Sequence, residues 1–259
     1  MSAARFVVLC SATCVSVAWS ALGAQSLQAR VNSAGDGQVN FHFTGRPGIC
    51  GDGMRFMRIG TSYQGSYSSD MRSEPCVTGP VQVRLTVDAG AVSRVETWVG
   101  TLRVRGGRDL GETPAPESAE YLLALASHGP SSASKAILPA VLAESTVVWP
   151  TLLNIARDSA TSRSTRQEAS FWLSRFAAGA LAGRKNDPLN ENDRDDGDIG
   201  LKKHAVFVLS QLPHDEGVPA LINVARSNVD QRVRGQALFW LGQTGDARAL
   251  AVFESILRT

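Results

Sequence analysis

In the first part of the chain, apolar and polar residues alternate with a period of two. Val39-Asn40-Phe41-His42-Phe43 is one such run and Val81-Gln82-Val83-Arg84-Leu85-Thr86-Val87 another. Both predict strands buried on one face. Asp88-Ala89-Gly90 then supplies turn formers, and Val92 to Val99 brings the chain back, which predicts a hairpin. Met54 to Ile59 predicts a further strand, although Phe56 and Met57 stand side by side and interrupt the alternation. Between these runs, Arg46 to Gly53 is dense in turn formers. The stretch from Gly106 to Pro116, rich in Gly, Pro and charge, predicts a linker after a β-rich segment spanning 25–105.

From Glu117 onward the period changes to 3.6. Tyr121, Leu122, Leu125 and Ala126 share one face of a helix. Asp215, Asp230 and Asp246 are predicted as helix N-caps, and Ser164 with Gln167 as a capping box. The chain also repeats itself. Trp149-Pro150-Thr151-Leu152-Leu153-Asn154-Ile155-Ala156-Arg157 aligns with Val218-Pro219-Ala220-Leu221-Ile222-Asn223-Val224-Ala225-Arg226. The helices that follow align too: Arg166 to Leu173 with Arg234 to Leu241, and Lys202 to Leu209 as a third copy between them. Proline at the first turn has no amide proton to lose, and a terminal Arg complements the negative end of the helix. Each copy is a unit that cannot bury its apolar face alone, so copies must stack. Ala169, Ala205 and Ala237 share one register, which predicts the closest helix approaches there. On that register Ala205→Leu would overpack the stack and cost about 1–3 kcal/mol. Phe171, Phe207 and Phe239 also share a register. They are the candidate partner-binding stripe, against the alternative that they pack between neighbouring repeats. Between Phe176 and Leu201 the second helix of a hairpin is expected to be nearly missing, since Gly179-Ala180-Leu181-Ala182-Gly183 is a poor helix former.

These copies resemble HEAT-like repeats of the type also found in phycobilisome chromophore lyases. The likeness is best in Leu241-Gly242-Gln243-Thr244-Gly245-Asp246-Ala247-Arg248-Ala249-Leu250, with its Leu-Gly, Gly-Asp and Ala-Leu elements, and extends over roughly Ser131 to Leu257. It implies a mainly α chain over 117–259, a short HEAT-like α-solenoid preceded by the small β-rich segment. It also implies an interaction module, because members of the family mostly bind other proteins.

The N-terminus changes the picture of where such a module would work. Met1 to Arg5 is cationic, and Phe6 to Ala18 is apolar but too short for a bilayer span of about 20 residues. Ala21-Leu22-Gly23-Ala24 supplies small residues for cleavage, so 1–24 reads as a signal peptide. A lipoprotein box at Cys14 would want Leu where Ser11 stands. Export is therefore expected, periplasmic or secreted, with no transmembrane segment once the signal is removed. Cleavage leaves Cys50 and Cys76, an even pair in an oxidising compartment, which reads as a disulfide contributing about 3–4 kcal/mol. The rival reading, a two-thiolate metal site, has no second cysteine pair or close histidine to complete it.

Charge and chemistry narrow the function classes. A net charge of +2 gives no case for nucleic acid. The densest basic group, Arg103, Arg105 and Arg108, reads as a solvated strand end. Asn190 to Ile199 has the composition of a calcium loop, within an acidic loop at 187–198. With Gly197 as the turn glycine, however, Arg194 falls on a ligand position and Lys203 replaces the closing Glu. The alternative is a solvated loop with Asp198 capping the next helix. His42, His128, His204 and His214 show no metal-binding spacing, and no nucleophile elbow, phosphate loop or dinucleotide fingerprint is present. No catalytic residue, metal ligand or cofactor is nominated. The expected function is extracytoplasmic binding or scaffolding of a protein partner. The alternatives are a lyase-like enzyme or chromophore handler, and a calcium-stabilised structural protein.

Overall fold

The computed structural model describes residues 25–53, 56–59, 62–65, 76–100, 106–184, 186–189 and 197–259. It opens with a helix that the period-two reading did not anticipate, α1 (Leu27–Ala34), capped by Ser26 and burying Leu27 and Val31. The first alternating run forms β1 (Gly37–Phe43). Then come β2 (Ile49–Gly51), β3 (Phe56–Ile59) and β4 (Ser62–Gly65), which pair antiparallel as a small sheet of order β2-β3-β4. The second run forms β5 (Val81–Asp88), which turns into β6 (Ala91–Val99). Ala89 and Gly90 have φ of 50° and 75°, the left-handed pair of a two-residue hairpin turn. The Asp36 carboxylate accepts both of their amide protons, at 3.1 and 2.9 Å.

Residues 106–116 are not a linker. Arg108–Glu112 is a strand, β7, running parallel to β1, and it completes a four-stranded sheet of order β6-β5-β1-β7. Helix α2 (Ala115–His128) starts immediately afterwards. Glycine and charge in this stretch serve an edge strand, where one side of the backbone needs no partner. The Arg30 guanidinium bonds the Leu110 carbonyl, and the Glu117 carboxylate accepts from Leu27 N at 2.5 Å, so α1 and α2 clasp this edge.

One face of the sheet packs its apolar residues, Val39, Phe41, Phe43, Val83 and Leu85, into the core. Phe41 meets Tyr121 of α2 edge-on at 6.3 Å. Burial of that phenol raises its pKa to about 12. Three polar positions of the alternation, Asn40, Gln82 and Arg84, are buried as well. Arg84 donates to Asn40 at 2.9 Å and lies over the Trp98 ring, and Gln82 donates to the Gly100 carbonyl at 3.2 Å. Period two therefore separates apolar from polar here but not inside from outside.

A short 3-10 helix (Ser131–Ala136) and α3 (Ile137–Leu142) lead to the stack of longer helices. These are α4 (Trp149–Arg157), α5 (Arg163–Leu181), α6 (Gly197–Ser210), α7 (His214–Ser227), α8 (Gln231–Thr244) and α9 (Ala247–Arg258). Asp230 and Asp246 cap α8 and α9 as expected, each accepting from the amide two residues on. The cap of α5 is Ser162 rather than Ser164, its Oγ accepting from Thr165 N at 3.2 Å. Helix α7 begins at His214, so Asp215 sits inside its first turn and Pro219 inside the helix. An acidic first turn favours that earlier start. Helix α5 continues to Leu181, so Gly179 to Leu181 is helical despite its low propensity: packing overrides it.

The stack does not follow chain order as a regular solenoid would. Helix α8 lies against α5, and α6 lies against α8 and α7. Helix α9 touches α4, α5, α7 and α8. Arg157 of α4 reaches Glu254 of α9 at 2.5 Å, and Arg248 of α9 donates to the His214 carbonyl of α7 at 3.0 Å. The middle of the stack is thus the last helix pair, α8 and α9, and α6 stands at an end. Gly242 sets the α5–α8 approach, since a Cβ there would lie 2.7 Å from Ser174 Cβ. Gly217 does the same for α7 against the end of α6, with a would-be Cβ 2.8 Å from the Leu209 carbonyl.

This placement corrects the shared alanine register. Ala169 and Ala237 are fully buried, but Ala205 is exposed, and its neighbour Val206 is buried instead. The third copy meets a different environment because it has a neighbour on only one side.

Candidate partner-binding surface

The repeated Phe residues lie along one seam, in the spatial order of the helices. Phe171 of α5 meets Phe239 of α8 edge-on at 6.2 Å, and Phe239 meets Trp240 at 5.1 Å. Trp240 meets Phe207 of α6 at 5.1 Å, and Phe207 meets His204 at 5.9 Å. The rings therefore pack between repeats and also reach the surface: Phe171, Phe239 and Trp240 are half-buried and Phe207 is exposed. Trp172, by contrast, is buried and donates its indole proton to Glu168 at 2.9 Å. The Trp240 indole Nε1 is buried with no hydrogen-bond partner among the described residues. Such a group usually finds an acceptor when buried.

Beside the seam, α6 carries an apolar face that the sequence alignment did not single out. Leu201 is 70% exposed, Val208 50% and Leu212, just past the helix, 40%. With Ala205 they form a stripe on the side opposite the buried Ile199 and Val206. The signal was present in the sequence: α6 is apolar on two opposite faces, the pattern of a helix covered on both sides.

On the other side of Phe239 lies a cavity of about 350 Å³, lined by Arg175, Arg184, Lys203, Arg232, Gln231 and Gln236 among others. Arg175 donates to the Pro188 carbonyl at 3.2 Å; burial lowers its pKa and Asp187 partly opposes this. Arg232 pairs with Asp230 at 3.2 Å, and that hydrogen bond holds the Asp230 carboxyl below the usual range. The lining supplies cations and amides, with Arg232 already paired to Asp230. Among the described residues that line the cavity there is no carboxylate, imidazole or thiol.

Cys50 and Cys76 are joined in a disulfide, with Cα atoms 5.2 Å apart. It sits beside the small sheet, far in sequence from the seam. His42 lies on β1, His128 ends α2, His204 lies on α6 and His214 starts α7. Among the described residues no cluster of His, Cys, Asp and Glu could hold a metal ion. The acidic loop expected at 187–198 lies outside the described residues from 190 to 196, and so do Arg103 and Arg105.

Sequence reasoning also missed Arg46, which ties the two parts of the chain together. Its Nε donates to the Val141 carbonyl at 2.6 Å, and its terminal nitrogens to Asn186 at 2.8 Å and Thr146 at 2.5 Å. The guanidinium lies 5.8 Å from the Phe176 ring centroid. Around it, Arg46 N bonds the Leu142 carbonyl and Glu144 N bonds the Thr44 carbonyl. A turn-rich stretch read alone gives no sign of a partner some hundred positions away.

Residues 186–259 match the HEAT repeats family, which covers α6 to α9. The C-terminal part of the chain thus carries HEAT-like repeats, and the α4–α5 pair precedes the matched region. No curated protein and no solved structure matches the chain. No helix among the described residues is long and apolar enough to cross a membrane.

Proposed function

We propose that this protein is an extracytoplasmic protein-interaction module whose partner docks on the aromatic seam. HEAT repeats commonly mediate protein interactions, and a surface of half-buried rings supplies the anchors that dominate binding energy. The observation that carries the reading is the continuous run Phe171–Phe239–Trp240–Phe207, which crosses three helices and stays accessible. The extracytoplasmic setting is supported by the apolar run Phe6 to Ala18 and by the bonded cysteine pair.

The test is cross-linked capture from a cell-envelope fraction with wild type and with a Phe207→Ala, Phe239→Gln variant of unchanged circular dichroism. A specific protein recovered by wild type should fall about tenfold with the variant, the loss of a hot-spot ring. Identical recovery of every protein by both baits overturns the reading. Export is tested separately by fusing residues 1–24 to alkaline phosphatase, which should become active only with that segment attached.

A second reading, the handling of an anionic ligand such as a chromophore, has one observation in its favour: the cationic cavity beside the Phe239 ring. Titration with biliverdin, followed by its visible absorbance, should then saturate and be weakened by Arg175→Gln. No spectral change at high protein concentration removes that reading. The calcium-stabilised reading is removed by an unchanged melting temperature with and without chelator.

A further inference from the structure

We propose that the cavity lined by α1, the β5–β6 hairpin and α2 binds an uncharged, largely apolar small molecule, held by a carbonyl oxygen that accepts from the Tyr121 hydroxyl. The site lies in the sheet-bearing half and does not rest on the interaction-module reading. The cavity measures about 610 Å³, within the range of small-molecule sites. Its lining is graded. Val31, Val87 and Tyr121 are buried, Val92 and Leu125 are half-buried, and Gln28 and His128 are exposed at the rim. Apolar walls with few polar groups are the usual construction of such a site.

Tyr121 supplies the group that points to a ligand. The residue is 6% exposed, and its ring is fixed edge-on against Phe41. No described residue hydrogen-bonds its hydroxyl. That hydroxyl is not among the described polar atoms sealed from solvent, as the Trp240 Nε1 is, so the space open to it is the cavity. The raised pKa of the buried phenol keeps it a donor across the ordinary pH range. A buried donor without an acceptor is costly, and a ligand oxygen removes that cost.

Charge sets the class of ligand. Among the described residues that line the cavity there is no Lys, Arg, Asp or Glu. His128 stands at the exposed rim with its Nδ1 turned back onto the Ala124 carbonyl at 3.0 Å. An ionised ligand would leave its charge uncompensated against Val31 and Val87, whereas a neutral carbonyl needs only the one donor. The walls are also tied before a ligand arrives. The Asp36 carboxylate holds the amides of Ala89 and Gly90 in the hairpin turn, and the Glu117 carboxylate of α2 accepts from Leu27 N of α1. A site formed in advance loses little order on binding.

Fluorescence titration with Nile red, an uncharged dye with a ring carbonyl, tests this on the purified protein with its disulfide intact. Wild type should bind one equivalent saturably, with the emission shifted to the blue. Tyr121→Phe keeps the ring and should weaken binding about fivefold, the loss of one neutral hydrogen bond. Ala124→Trp sets an indole in the mouth from an exposed helix position, and Val92→Trp fills the opposite wall. Each should abolish saturable binding with unchanged circular dichroism. The neutral ketone 2-acetylnaphthalene should displace the dye, and 2-naphthoate, with the same rings and an ionised carboxylate, should not. A wild-type titration that does not saturate overturns the proposal. So do folded Ala124→Trp and Val92→Trp proteins that still bind, a Tyr121→Phe protein that binds as wild type does, or equal displacement by 2-naphthoate. The Phe207→Ala, Phe239→Gln variant should bind the dye unchanged; loss of binding there would place the dye on the seam and overturn the proposal as well.

Discussion

The sheet-bearing half and the helical stack are held together by different means. In the first half a few links span long stretches of chain: the Cys50–Cys76 disulfide, the parallel β1–β7 pairing, and Arg46 reaching Val141, Thr146 and Asn186. In the stack the contacts recur at helical spacing and are mostly apolar, with Ala169 and Leu173 of α5 and Ala237 and Leu241 of α8 buried in the same register. One apolar cluster nevertheless runs through both halves, from Leu27 to Leu257. The contrast teaches that a single substitution should matter more where one residue carries a unique link than where repeats share the load.

The largest effect should come from the disulfide. Cys50→Ala with Cys76→Ala should lower stability by about 3–4 kcal/mol in a urea melt, because the open loop regains its freedom in the unfolded chain. A loss no greater than that of a stack substitution would erase the distinction between the halves. Arg46→Met should come next, at about 3 kcal/mol, since it strands several carbonyls that the guanidinium serves. Arg46→Lys should recover only part of this, because one ammonium cannot reproduce the planar fork.

The stack supplies an internal comparison. Ala237→Leu should cost about 1–3 kcal/mol by overpacking α8, while Ala205→Leu at the exposed position should stay within about 0.5 kcal/mol. Equal costs would mean that α6 is covered on both sides as α8 is. A modest effect concerns the cap of α9. Asp246→Ala should cost about 1 kcal/mol, and Asp246→Asn less, because Asn also caps well. The Arg248 side-chain hydrogen bond holds the Asp246 carboxyl below its ordinary value. Its contribution is therefore complete above the unfolded-state pKa and is lost as pH falls through the lower folded value. Wild-type melts at and below about pH 4 should show that loss, and Asp246→Asn should flatten it.

Local signals were read correctly where one element suffices to express them. The β5–β6 hairpin follows from its alternation and from Asp88-Ala89-Gly90, and the α8 and α9 caps from Asp230 and Asp246. The Phe seam was legible as a recurrence, because Phe171, Phe207 and Phe239 occupy one register. The errors lie where a distant partner decides. Gly106 to Pro116 reads as a linker until β1 lies beside it, and Arg46 reads as a turn residue until Val141 and Thr146 surround it.

The sequence by itself determined that strands precede the repeated helices, that those helices repeat, and which residues share a helical register. Those properties are set by neighbours one to four positions away, within reach of period and capping. Only the tertiary structure decided the order of the stack, with α8 against α5 and α6 at the end. Copies with nearly the same pattern compete for the same neighbour, and the closest fit takes it. Gly242 lets α8 approach Ser170 and Ser174 of α5 directly, and α6, left with a partner on one side, shows Leu201, Ala205 and Val208 to solvent.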